Sequence, residues 1–472
     1  MQKSLIFIIL TSAMLLPGLM VSQITGDEIP KAASDFLLSN IQIKTQPGDE
    51  LIRADVHIVD GVIAEIGEDI QVKRGAKVIE GDELILYAAF ISALSHLGQP
   101  EEEDDARRSA WRGPPGATPL EQSGLTPHMF ASTDYDPGES DLKKYHQQGF
   151  GLVHSVPRGF VMPGKGSLYL LTDPADGKVN TLLKRETGLF AQFRNMRRVY
   201  PATPLATMSV WREVITDVRY QKDYWEKWNE NPKGLSRPSV TELDKALFPV
   251  VSGEQPVFFH TGETRQALRA MNLANELNFK VVLANAGRLN DDFLAGLHQG
   301  IKILPNLDFP DKPDEEKEEE KGESEAEERE QDEESEEDPE EEKDELPAGM
   351  DKEEYEHLKE RRKLAWEEQI MLSKKAHEQE ALGGFSTLSV GSGDILSAVR
   401  LLHEKGMSED ELLEALTTLP AELFGMEGTI GKVKEGYQAH LVLFDGPFTG
   451  EDAKPTFLIV DGHLHDLREN DD

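Results

Sequence analysis

The feature that most constrains this chain is a pair of Asp-Gly turns, one near each end. Near the start, Asp55-Val-His-Ile-Val-Asp-Gly-Val-Ile-Ala-Glu-Ile-Gly67 sets two β-branched runs on either side of Asp60-Gly61. Near the end, Phe457-Leu-Ile-Val-Asp-Gly-His-Leu464 repeats the arrangement around Asp461-Gly462, after the apolar run Ala439-His-Leu-Val-Leu-Phe444. Tight hairpins need positive φ at the turn, which Asp-Gly supplies, so this dipeptide between apolar runs is a strong hairpin signal. Strands at both ends, with α/β patterning between them, imply one β-domain built from the two termini.

The middle alternates short apolar strands with helices. Phe150–Val156 and Pro256–His260 read as buried strands. A helix over about Glu263–Leu277 follows, with Ala267, Met271, Ala274 and Leu277 on one face. Val281–Ala284 and Ile301–Leu304 are again short and apolar. Serial units of this kind favour a parallel sheet, closed or open. Ser408-Glu-Asp-Glu411 is a capping box that opens a helix through Leu412, Leu413 and Leu416.

Composition bounds compartment and partners. A basic start, the apolar run Leu5–Val21 broken by Pro17, and the small residue Ser22 read as a secretory signal peptide over 1–22. An uncleaved membrane anchor is the weaker alternative, because the run is close to the lower limit for spanning a bilayer. The expectation is an exported protein, periplasmic or extracellular, with no stable membrane span after cleavage. The chain has no cysteine, which excludes disulfides and lipoprotein attachment, and its 472 residues suffice for a large barrel plus a satellite domain. The net charge of −38 is uneven: Asp311–Glu345 holds 23 acidic and five basic residues. Such a chain repels phosphates and anionic lipid, so nucleic acid is not an expected partner. The acidic block is almost without apolar side chains and reads as a disordered insertion. Loose binding of divalent cations is the rival reading, weakened by the lack of calcium-loop spacing. The segment 351–380 is charged but helix-prone, and is expected to return the chain to the sheet.

Several motifs together resemble the amidohydrolase superfamily, specifically its exported imidazolonepropionase-like members. Tyr87-Ala-Ala-Phe-Ile-Ser-Ala-Leu-Ser-His-Leu-Gly98 is similar to the family's first barrel strand, "PGFIDxHxHLG". The N-terminal hairpin is similar to "V.DGrI..IG". Gly149–Val153 and Pro163–Gly166 look like the "GfTtv" strand and the glycine-rich segment after it. Leu416–Gly425 is close to "lTxxPAxllG", and Gly431–Val442 follows "GsixxGkxADLV" with His440 in place of the usual aspartate. The resemblance implies a distorted (β/α)8 TIM-type barrel over 88–426, interrupted by the acidic insertion at 311–347. It also implies a small β-sandwich made from 23–87 and 427–468.

The resemblance further implies hydrolysis of amide or cyclic amide bonds, that is, C–N bonds other than peptide bonds, with one or two divalent metals. The metal would lower the pKa of a bound water, and a strand-8 aspartate would take its proton. The ligands expected are two strand-1 histidines, often a carboxylated lysine, one histidine each from strands 5 and 6, and that aspartate. Carried over residue by residue, this set is incomplete. Leu94 stands at the first histidine position, and only His96 remains of that pair. His260 matches strand 5. Strand 6 offers Asn285 and no histidine. Anchored on Phe385 and Gly391, strand 8 places Val390 at the aspartate position, with Asp394 four residues later.

His96 and His260 are therefore weighed as remnant metal ligands against polar residues lining an inherited, metal-free cavity. Asp394 is a weak candidate for a catalytic group. Trp111, His154 and Asn285 are candidates for substrate binding, although a hydrogen-bonded core histidine is the favoured reading of His154. Arg194, Arg197 and Arg198 could hold a carboxylate or form a solvated basic face. The cofactor expectation is either one divalent cation (zinc, iron or manganese) or none. The functional expectation is a degenerate amidohydrolase with weak or no catalysis. Its alternatives are an active hydrolase with an atypical mononuclear site and a non-catalytic partner of a paralogous amidohydrolase subunit. Its ligand would be a small-molecule amide or a small peptide.

Overall fold

The computed structural model describes residues 35–72, 76–101, 119–133, 135–172, 181–196, 199–310 and 351–468. The segments read as signal peptide and acidic insertion lie outside the described residues, as do Trp111, Arg197 and Arg198.

The two ends of the chain meet in one eight-stranded sheet. From the N-terminal side come β1 (Asp35–Ile43), β2 (Ile52–Val59), β3 (Val62–Gly67), β4 (Lys77–Glu80) and β5 (Ile85–Ala88). From the C-terminal side come β13 (Leu441–Phe444), β14 (Pro455–Val460) and β15 (His463–Asp466). The join is the antiparallel pair β5–β13, with Tyr87 opposite Val442. Both Asp-Gly turns form as read. Asp60 and Gly61 have φ of 52° and 75°, and Asp461 and Gly462 have 50° and 76°. The two turns also touch each other, since a Cβ built on Gly61 would sit 3.4 Å from the Gly462 nitrogen. His440 holds this corner. Its Nδ1 accepts from the Asp461 N–H at 3.2 Å, while Nε2 donates to Gln438 Oε1 at 3.0 Å. The sheet curls around its own core of Phe36, Leu38, Ile41, Val56, Ile58, Leu86, Leu441, Leu443 and Ile459.

The middle of the chain forms the barrel. Its staves are β6 (Phe90–Ser95), β7 (Phe150–Ser155), β8 (Gly164–Leu170), β9 (Leu182–Ala191), β10 (Val257–His260), β11 (Val281–Ala286) and β12 (Lys302–Pro305), hydrogen-bonded in that order. Residues 382–387 close the ring. Leu382 bridges to Ile303, and Ser386 bridges to both Asn306 and Leu94, all in parallel. The barrel departs from uniform (β/α)8 at one place: β8 runs antiparallel to both β7 and β9. The chain turns back after Ser155 through Pro157-Arg-Gly159 with no helix between, so the next stave must reverse. Elsewhere helices cover the outside. Trp211 of the helix Pro204–Glu230 packs on Phe259 and Phe279. The helix Thr264–Leu277 buries Ala267, Ala270, Met271 and Ala274, close to the face read from sequence. The capping box of Ser408 and Glu411 is formed.

Candidate functional site

Parallel staves present their C-terminal ends at one mouth, where this fold carries its sites. His96 follows β6 directly, His260 ends β10, and Asn285 is the penultimate residue of β11. His96 Nδ1 donates to the Val156 carbonyl at 2.8 Å, which leaves the lone pair on Nε2. Burial holds this imidazole down, to about 4; the Val156 carbonyl works the other way, and the nearby Arg158, His260 and Arg194 lower it further. Burial also lowers the pKa of His260. Both rings are therefore neutral at pH 7, as a metal ligand must be, but neutrality alone does not make a site.

The next layer of contacts decides what these rings can do. Asn285 Nδ2 donates to His260 Nε2 at 2.9 Å and reaches Ser389 Oγ at 3.3 Å. Asn285 Oδ1 accepts from Ser386 Oγ at 2.7 Å. The asparagine is 3% exposed, and its φ of 51° lies in the left-handed region that asparagine tolerates better than most residues. At the adjoining stave, Asn306 Oδ1 accepts from Gln369 Nε2 at 2.9 Å. The His260 lone pair is thus spent on an amide N–H rather than left for an ion.

The remaining sequence candidates fall outside this cluster. Leu94 is fully buried in the apolar core. His154 sits within the barrel wall, 0% exposed, with Nδ1 donating to the Ala93 carbonyl at 2.8 Å and Nε2 accepting from Thr187 Oγ1 at 2.7 Å. Phe258 and Phe424 flank its ring. Both nitrogens are satisfied, so its geometry is that of a core histidine, not of a group offered to a ligand. Asp394 is exposed at the start of the helix Ile395–Glu404, with its carboxylate folded over Gly391. Nothing joins it to either imidazole. Val390 packs against the core, while the groups that segment turns to the cluster are Ser386 and Ser389.

A catalytic zinc takes three protein ligands and keeps one position open. Here one imidazole offers a lone pair and the other is engaged. Among the described residues, no three His, Asp or Glu side chains are grouped to hold an ion. Among the described residues the donor set does not fit a divalent metal, and Arg158 and Arg194 are among the groups that depress the His96 imidazole.

Comparison with known proteins places the fold. An amidohydrolase from Thermotoga maritima MSB8 is similar over 91% of this chain and 99% of its own, with 18% identity and a TM-score of 0.67. A prolidase solved with N-methylphosphonate-L-proline is similar over 92% and 99%, with 14% identity and a TM-score of 0.51. The fold is therefore the one these structures share, here a barrel beside a sheet built from both termini. The model of the amidohydrolase family matches residues 346–465, which contain the closing stave and the C-terminal strands. No curated protein matches the chain.

Proposed function

We propose that the chain is an amidohydrolase-superfamily protein of the imidazolonepropionase-like kind whose barrel mouth has lost metal-dependent hydrolysis and kept the capacity to bind a small ligand. The observation that carries this reading is the Asn285–His260 hydrogen bond, locked by Ser386 and Ser389. It fills with neutral donors and acceptors the place where a metal needs lone pairs and carboxylates. The test is an assay of the full chain, purified without chelator and supplemented with zinc, manganese or iron, against N-acyl amino acids, dipeptides and cyclic amides. The reading expects no turnover above a barrel-mouth variant such as His260→Ala. Turnover that EDTA abolishes and metal restores would overturn it.

A second reading, an active mononuclear hydrolase, draws on one observation: His96 keeps its Nε2 lone pair at the mouth. It requires His260 to release Asn285 on metal binding. Export, and a role beside an active paralogous subunit, belong to the proposal and rest on sequence alone. Both are open to test by signal-sequence cleavage mapping and by co-purification with such a subunit.

A further inference from the structure

In the terminal sheet, β4 lies parallel to β1 and has no second strand beside it among the described residues. Gly81, just past β4, donates its N–H to the Ser39 carbonyl of β1 at 3.1 Å. Alternation along the strand then turns the N–H and C=O of Val78 and Glu80 away from β1. A groove of about 670 Å³ runs along β4 and the turn after it, lined continuously from Lys77 to Leu84. Its opposite wall is one face of β15, with Leu464, Asp466 and Arg468 at alternate positions. Ile79 and Phe457, both buried, make part of its lining apolar, and Val78 is 51% exposed beside them.

Charge distinguishes the two walls. Asp466 is paired with Arg468 at 2.7 Å. On the β4 wall, Lys77 stands against Glu80, Asp82 and Glu83, all exposed, so that wall is net acidic. An open strand edge offers backbone pairing, the groove beside it offers room for side chains, and the acidic wall sets the sign of the occupant. A second copy of β4 would set two acidic walls against each other.

We propose that β4 is a docking edge for an extended segment of a partner protein that alternates apolar with lysine or arginine side chains. The segment adds as a strand beside β4 and pairs with the outward N–H and C=O of Val78 and Glu80. Its apolar side chains fall on the Ile79 face, toward the apolar lining. Its cationic side chains fall on the Glu80 face, beside that carboxylate. The site shares no residue with the barrel mouth.

The probe is the labelled hexapeptide Lys-Val-Lys-Val-Lys-Val, titrated with the full chain and followed by fluorescence anisotropy. Saturable binding is expected, and Glu-Val-Glu-Val-Glu-Val should be weaker by about ten-fold or more. Two further peptides carry N-methyl groups, one on the lysine amides and one on the valine amides. At least one of them should lose binding, because alternate amides face the edge. Val78→Pro deletes an outward N–H and spares the ladder to β1, so it should weaken the probe by about three- to ten-fold. Glu80→Lys, which leaves the backbone unchanged, should weaken it by about three-fold or more. Unchanged thermal midpoints show that both variants are folded. No saturable binding up to about 1 mM peptide, equal binding of the two charge types, or full binding of both methylated peptides overturns the proposal. Self-association in sedimentation that Val78→Pro abolishes also overturns it, by giving the edge to a second copy.

Discussion

His154 makes the stability of the barrel dependent on pH, and the size of the effect follows from its surroundings. It is fully buried, and burial holds its imidazole at about 4, against an ordinary value of 6.5. The folded state therefore binds fewer protons than the unfolded state between those values. Stability from this group is fully present above pH 6.5 and is lost as pH falls toward 4. With 1.36 kcal/mol per unit, the full loss is about 3 kcal/mol, and about 2 kcal/mol is lost by pH 5. Carboxylates also titrate in this range, so the assay is a difference. Urea unfolding is followed at pH 7 and pH 5 for the parent chain and for His154→Gln, which keeps hydrogen-bonding capacity and does not titrate. His154→Gln lowers stability at pH 7, but its further loss between pH 7 and pH 5 should be smaller than the parent's by about 2 kcal/mol. An identical pH 7-to-5 loss in both chains would refute the assignment of a neutral, buried imidazole.

Two further outcomes follow from packing at the same end of the barrel. Asn285→Ala leaves Ser386 without its acceptor and His260 without its donor, and forces alanine into left-handed backbone; it should cost about 2–4 kcal/mol in urea unfolding. Asn285→Gly removes the same hydrogen bonds without the backbone strain, so it should be the milder change, and equal losses would discount the strain. Gly166→Ala would put a Cβ 2.3 Å from His154 Nε2 and 2.8 Å from Thr187 Oγ1. It should destabilise by about 1–3 kcal/mol, read as a lower urea midpoint, and a neutral result would mean that this wall yields easily.

Much of the architecture was legible because its signals are local. Asp60-Gly61 and Asp461-Gly462 specify their hairpins through backbone preference alone, and Ser408 with Glu411 specifies a helix start. That the ends meet in one sheet followed from matching chemistry at both termini. The reversed β8 was not legible. Gly164-Lys-Gly166 reads only as a glycine-rich segment after a strand, whereas in the structure glycine is needed within the next strand, where His154 and Thr187 close over Gly166. Of the candidate site, His96, His260 and Asn285 were singled out by their positions in the motifs the chain resembles, and the structure joins two of them, His260 and Asn285, by a hydrogen bond. Ser386 and Ser389 were not, because the closing stave pairs only through isolated bridges and has no periodicity to set its register. His154, favoured from its strand as a hydrogen-bonded core histidine, is one, with both ring nitrogens bonded inside the wall.

The most direct measurement is the metal content of the full chain, purified without chelator and then equilibrated with excess zinc before gel filtration. A mouth whose His260 lone pair is committed to Asn285 should retain well below one equivalent, and His260→Ala should not change the amount. Retention of about one equivalent that His260→Ala removes would contradict the account, because the imidazole would then be serving an ion and not its neighbouring amide.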